Sequence, residues 1–154
     1  MKRRVFTIGV ILFWGCSLVF AEPMFAPTKE QAFKSQLIAI VEYSGYQLLG
    51  KIDYFSGPVA RYKIIRILKG ANVSKALDVR YDFTDGSACL PEVGWKFSED
   101  LMPKKGSRWI LFLNEDSPMK YWATYRGPFG RWSADFKNTL EVENALSKGQ
   151  LKGD

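Results

Sequence analysis

Five consecutive apolar residues, Trp109, Ile110, Leu111, Phe112 and Leu113, sit between Arg108 and Asn114. An extended strand sends successive side chains to opposite faces, so a strand made of this run can leave neither face in water. It must be covered on both sides, which demands a second layer of structure. Other segments supply partners for it. Leu77, Val79, Tyr81 and Phe83 alternate with Asp78, Arg80 and Asp82, giving one apolar and one charged face. Upstream, Tyr62-Lys-Ile-Ile-Arg-Ile-Leu-Lys69 is rich in β-branched residues and stops at the turn signal Lys69-Gly70. Leu37-Ile-Ala-Ile-Val41 reads as the first strand, and Ser44-Gly45 bends or bulges it.

Helices are expected at both ends. Thr28 and Gln31 have capping-box spacing, and Phe33 and Leu37 lie four apart, which predicts a helix from Thr28 to about Gln36. At the other end Ser133 is placed to cap a helix carrying Phe136, Leu140, Val142, Ala145 and Leu146, with Gly149 as its stop. Between them, residues 84–106 hold Asp85-Gly86, Pro91, Gly94, Pro103 and Gly106 and little pattern. A connection this long is usually functional or poorly ordered, and Trp95 and Phe97 predict that it is packed down at least locally. Residues 121–125 and 128–132 read as two short strands. The fold class expected is mainly β: an OB-like antiparallel barrel of five to six strands flanked by one N-terminal and one C-terminal helix. A flatter sheet packed on one helix is the alternative.

The chain begins with Lys2, Arg3 and Arg4, followed by an uncharged run from Val5 to Phe20. As a helix that run would reach roughly 24 Å, short of a bilayer core of about 30 Å. With Ala21 at its end it reads as a secretory signal peptide over residues 1–21. The domain organisation expected is then an arm at 22–27, the barrel domain at 28–148 and a tail at 149–154. Cys16, preceded by Gly15, offers lipoprotein anchoring as an alternative. Phe13 and Trp14 are bulky where such a site takes small or aliphatic residues, which favours cleavage after Ala21. Removing the leader takes three cations and no anions, so the formal charge falls from +6 to +3. That bias is modest for a dedicated nucleic-acid binder. Cys89 is then the one cysteine left, so no internal disulfide is available.

The helix leading into Leu37-Ile-Ala-Ile-Val41, the strand ending Ile67-Leu-Lys-Gly70, and Lys105-Gly-Ser-Arg-Trp-Ile-Leu-Phe-Leu113 together resemble a known group. It is that of small exported bacterial proteins related to the netrin-like domain and the tissue inhibitors of metalloproteinases. The resemblance covers roughly residues 28–132 and implies an OB-type barrel. The inhibitors grip a target's zinc with an N-terminal cysteine, whereas the mature start expected here is Glu22-Pro23. The disulfides of the animal domains are missing too. The resemblance therefore implies the barrel and not the inhibitory mechanism.

Histidine is absent, which removes the usual general base at neutral pH and the commonest metal ligand. No catalytic constellation is recognisable, and no enzyme activity, cofactor or metal is expected. Asp82, Asp85, Glu92, Glu99 and Asp100 gather around the long connection but match no calcium-loop spacing, and read as a solvated acidic edge. Cys89, in Asp85-Gly-Ser-Ala-Cys-Leu-Pro91, is a possible free thiol. No cation lies near it in sequence to stabilise a thiolate, so a small apolar residue under a loop is the plainer reading. Asn72-Val-Ser74 matches a glycosylation triplet by pattern alone.

Residues 120–132 interleave aromatic and basic side chains, and Trp122, Arg126, Phe129, Arg131 and Trp132 are the candidate ligand-binding residues, with 84–106 as their wall. The plainer alternative puts both tryptophans inside the barrel. The function expected is an exported, non-catalytic binding module with a protein or envelope partner. A single-stranded nucleic-acid-binding OB domain and a thiol-dependent enzyme or redox protein using Cys89 are the rivals.

Overall fold

The computed structural model describes residues 29–52, 54–71, 74–84, 94–116 and 121–150. Its elements in chain order are α1 (Lys29–Ala32), β1 (Leu37–Gln47), β2 (Val59–Lys69), β3 (Ala76–Arg80), β4 (Arg108–Asp116), β5 (Tyr121–Thr124), β6 (Arg131–Ser133) and α2 (Phe136–Gln150). Short 3-10 turns lie at Glu99–Leu101 and Gly127–Gly130. The strands run in the order β1-β2-β3-β5-β4, and a further β1–β4 ladder closes them into a five-stranded barrel. β6 is added outside the ring, on β4.

This is the mainly β, OB-like barrel that the sequence predicts, with corrections to its strands and to both helices. The barrel is mixed, because β3 and β5 run parallel, pairing Val79 with Trp122 and Arg80 with Ala123. The N-terminal helix is a single turn, Lys29–Ala32; Thr28, its expected cap, lies outside the described residues. Of the strand expected at 128–132, the first part is a 3-10 turn and pairing starts at Arg131.

β4 makes both layers of the core. Leu111 and Leu113 face the barrel interior with Leu37, Ala39, Val41, Tyr62, Leu77 and Val79. Ile110 and Phe112 face outward and pack with Ile38, Ile40, Ala32 and Val142 of α2. From Leu37 to Val41, β1 is likewise buried on both faces, odd residues inside and even ones under the helix layer. The alternation at 77–83 delivers Leu77, Val79, Tyr81 and Phe83 to the interior cluster as its period requires. The ladder between β1 and β2 shifts register between Tyr43 and Gly45, so Ser44 is the bulge. Gly70 ends β2 with φ of 104°, which disfavours any side chain there, and an added Cβ would lie 2.7 Å from the Gln36 carbonyl oxygen. No helix among the described residues is long and apolar enough to cross a membrane.

The C-terminal helix runs Phe136–Gln150, past the expected stop at Gly149. Its cap is Asp135 rather than Ser133: the Asn138 amide donates to Asp135 Oδ1 at 2.8 Å. The expected apolar face is also corrected. At about 100° per residue, Leu140 and Val142 point about 160° apart, so one core cannot take both. Val142 and Leu146 pack inward, and Phe136 and Leu140 face out. Asp135→Ala is expected to lower stability by about 1 kcal/mol, the usual worth of an N-cap. Denaturant unfolding checks this, with Asp135→Asn recovering most of the loss.

Candidate functional site: the aromatic end of the barrel

At the end where β1 passes into β2 and β3 into the long connection, aromatic rings form an unbroken chain. Tyr46, at the end of β1, meets Phe97 at 5.6 Å between centroids, and Phe97 meets Phe83 at 6.1 Å. Phe83 meets Trp95 at 5.4 Å, Trp95 meets Tyr54 at 5.6 Å, and Tyr54 meets Phe55 at 5.3 Å. These rings come from β1, the β1–β2 connection, the segment after β3 and the segment before β4. Barrel closure brings them together. Their interplanar angles of 55–88° are the edge-to-face and tilted arrangements that ring quadrupoles favour. Trp95 and Phe97 do pack down the described part of the connection around them.

The lip of this end is apolar and exposed to water. Leu48 is 56% exposed, Leu49 55% and Phe55 51%. Its floor is polar and dry. Arg131 shares its face of β6 with Leu111, its partner on β4, and so enters the barrel interior. Its guanidinium carbon lies 3.6 Å above the Tyr81 ring, and Nη2 donates to the Asp82 carbonyl oxygen at 3.2 Å. Nη1 is buried and has no hydrogen-bond partner among the described residues. Arg131 thus closes the seam between β6 and the segment following β3. Burial lowers its pKa, and Tyr81, Tyr62 and Asp82 work against that shift.

Tyr43 and Tyr62 meet edge to face in the same interior cluster, with centroids 5.4 Å apart. Burial pushes the Tyr43 hydroxyl up to about 12 and raises Tyr62 and Tyr81 as well. These three groups hold their protons in the fold at pH values where an unfolded tyrosine ionises. Their contribution to stability is complete below about pH 10 and is lost as pH climbs through the folded-state values. In an alkaline titration these three should ionise only together with loss of the far-ultraviolet signal. Their ionisation at the ordinary value in an intact fold would contradict this.

The five candidate residues read from the sequence separate onto different faces. Trp122 packs partly buried against the barrel interior, opposite Val79, and Arg131 lies in that interior. Trp132 points the other way, partly buried with its ring 4.7 Å from Phe112 beneath α2. Arg126 is exposed, with left-handed backbone at φ 51° and ψ 48°, and Phe129 lies half-buried in the 3-10 turn it opens. Cys16 and Cys89 lie outside the described residues, as do Asp85, Glu92 and the triplet asparagine Asn72. Of the acidic edge, Glu99 accepts from the Tyr46 hydroxyl at 2.9 Å and Asp82 pairs with Arg80 at 2.8 Å.

Reading the sequence missed the lip. Its signal was there: Leu48-Leu49 and Tyr54-Phe55 are apolar pairs inside a connection broken by Gly50 and closed by Ser56-Gly57-Pro58. No protein-family model matches the chain, and comparison with curated proteins returned no match.

Proposed function

We propose that this chain is an exported, non-catalytic binding module that takes a protein partner at the aromatic end of its barrel. The observation that carries the reading is the lip: Leu48, Leu49 and Phe55, each more than half exposed, border a packed wall of tyrosine, tryptophan and phenylalanine. Large apolar side chains left in water mark interaction surfaces, whose centres are rich in aromatic residues.

The outer face of β2 and β3 favours a protein over a nucleic acid. Its arginines are occupied by carboxylates: Arg61 holds Asp78 through two bonds of 2.8 and 3.0 Å, and Arg80 holds Asp82. Arg66, further along β2, reaches Glu143 on α2. Cations committed in this way are poorly placed to displace counterions from phosphates.

The test is a capture experiment from the native envelope, using wild type and a Leu48→Asp, Leu49→Asp, Phe55→Asp variant. Wild type should retain a discrete partner, and the variant should lose it while melting at the same temperature. Equal capture by both would dismiss the lip. Binding of a single-stranded oligonucleotide that falls steeply with salt would favour the rival OB reading instead. Export is checked separately by N-terminal sequencing of the accumulated protein, which should begin at Glu22.

A further inference from the structure

A second surface lies on the outward face of α2, apart from the aromatic end. Phe136 is 83% exposed, the highest value among the large apolar side chains of the described residues, and Leu140, one turn on, is 43% exposed. They line a shallow open groove together with Lys29, Lys137, Glu141 and Lys148. This face is opposite Val142, which anchors the helix to the barrel with no exposed surface.

The charges around it are sorted. Both carboxylates on the described part of α2 are paired: Glu141 with Lys29 of α1 at 2.6 Å and Glu143 with Arg66 of β2 at 2.5 Å. Among the described residues no ion pair reaches Lys137 or Lys148. These two lysines are separated by about three turns and so project in nearly the same direction, beside Phe136 and Leu140. The face therefore presents two bulky apolar side chains, two ammonium groups on long apolar stems, and an acid already neutralised.

We infer that the outward face of α2 docks on an anionic phospholipid bilayer. Phe136 and Leu140 enter the acyl boundary, and Lys137 and Lys148 lie along it with their ammonium groups at lipid phosphates. Charge complementarity selects this occupant. Lysine is depleted from protein–protein interfaces, whose centres are apolar and free of charge, whereas lysines flanking a few large apolar residues are the pattern of a helix lying on a membrane surface. A bilayer also needs no matching shape, which suits a single helix lying proud of a barrel.

The test uses the protein in the form its producing cell accumulates, co-sedimented with vesicles of phosphatidylglycerol mixed with phosphatidylethanolamine, or of phosphatidylcholine alone. It should bind the anionic vesicles, leave the neutral ones, and be released by added salt. Lys137→Glu and Lys148→Glu should each weaken binding about fivefold or more, the worth of one lysine near an anionic surface. Phe136→Asp with Leu140→Asp should abolish it, and because both positions are exposed, these variants should melt like wild type. Equal binding to both vesicle types, no binding to either, or binding unchanged in the variants would overturn the inference. So would a concentration-dependent dimer in sedimentation that Phe136→Asp abolishes, since the face would then belong to a second copy of the chain.

Discussion

Phe112→Ala is expected to destabilise the protein by about 3–5 kcal/mol, as for a fully buried phenylalanine cut back to alanine. Phe112 has no exposed surface. Its ring contacts Trp132 at 4.7 Å and Phe33 at 6.3 Å, so it joins β4 to β6 and to the chain just after α1. The loss has two parts: apolar surface no longer removed from water, and a cavity between barrel and helix layer that stiff neighbours fill only in part. For a domain of this size it should lower the melting midpoint by roughly 10–20 °C. Phe112→Leu keeps most of the volume and should cost about 1.5 kcal/mol or less. Thermal unfolding of the two variants separates the contributions. A Phe112→Ala protein melting within a few degrees of wild type would mean that the outer layer carries little of the stability.

Gly57→Ala is expected to cost about 3 kcal/mol, at the upper end of the overpacking range. A Cβ on Gly57 would lie 1.8 Å from the Tyr81 carbonyl oxygen and 2.9 Å from its carbon. These are backbone atoms, so no side chain can swing aside to make room. The next residue, Pro58, accepts a hydrogen bond from the Tyr81 amide at 2.9 Å, and parting the two segments would break it. Tyr81 also stacks under Arg131 and against Phe83. The damage should therefore reach the floor of the aromatic end, and partner capture should fall along with stability. A Gly57→Ala protein with wild-type unfolding would show that the close approach of these segments is dispensable.

How far the fold was legible follows from what local pattern can encode. The run at 109–113 and the first strand were readable because burial on both faces leaves no polar position to interrupt them. The alternation at 77–83 was readable for the converse reason, having one wet face. The bulge at Ser44 was announced by Ser44-Gly45. The parallel β3–β5 ladder was not readable, because it joins residues far apart in the chain and nothing in either strand names its partner. The direction of α2 was misread because its sequence offers two apolar stripes, Phe136 with Leu140 and Val142 with Leu146, and only packing chooses between them.

The site was less legible than the fold. Residues 120–132 looked like a cluster because they are neighbours in sequence, yet Arg131 and Trp132, being adjacent in a strand, must point to opposite faces. The rings that do meet are scattered from Tyr46 to Phe97 and are assembled only when the barrel closes. Each taken alone is one more core aromatic.

Whether the aromatic end engages a protein partner is decided by placing a photo-crosslinking amino acid at Leu49 and, as a control, at Lys63 on the exposed outer face of β2. Irradiation in the native envelope should give a single discrete protein adduct from position 49 and none from position 63. No adduct at 49, or the same adduct from both positions, would contradict the account.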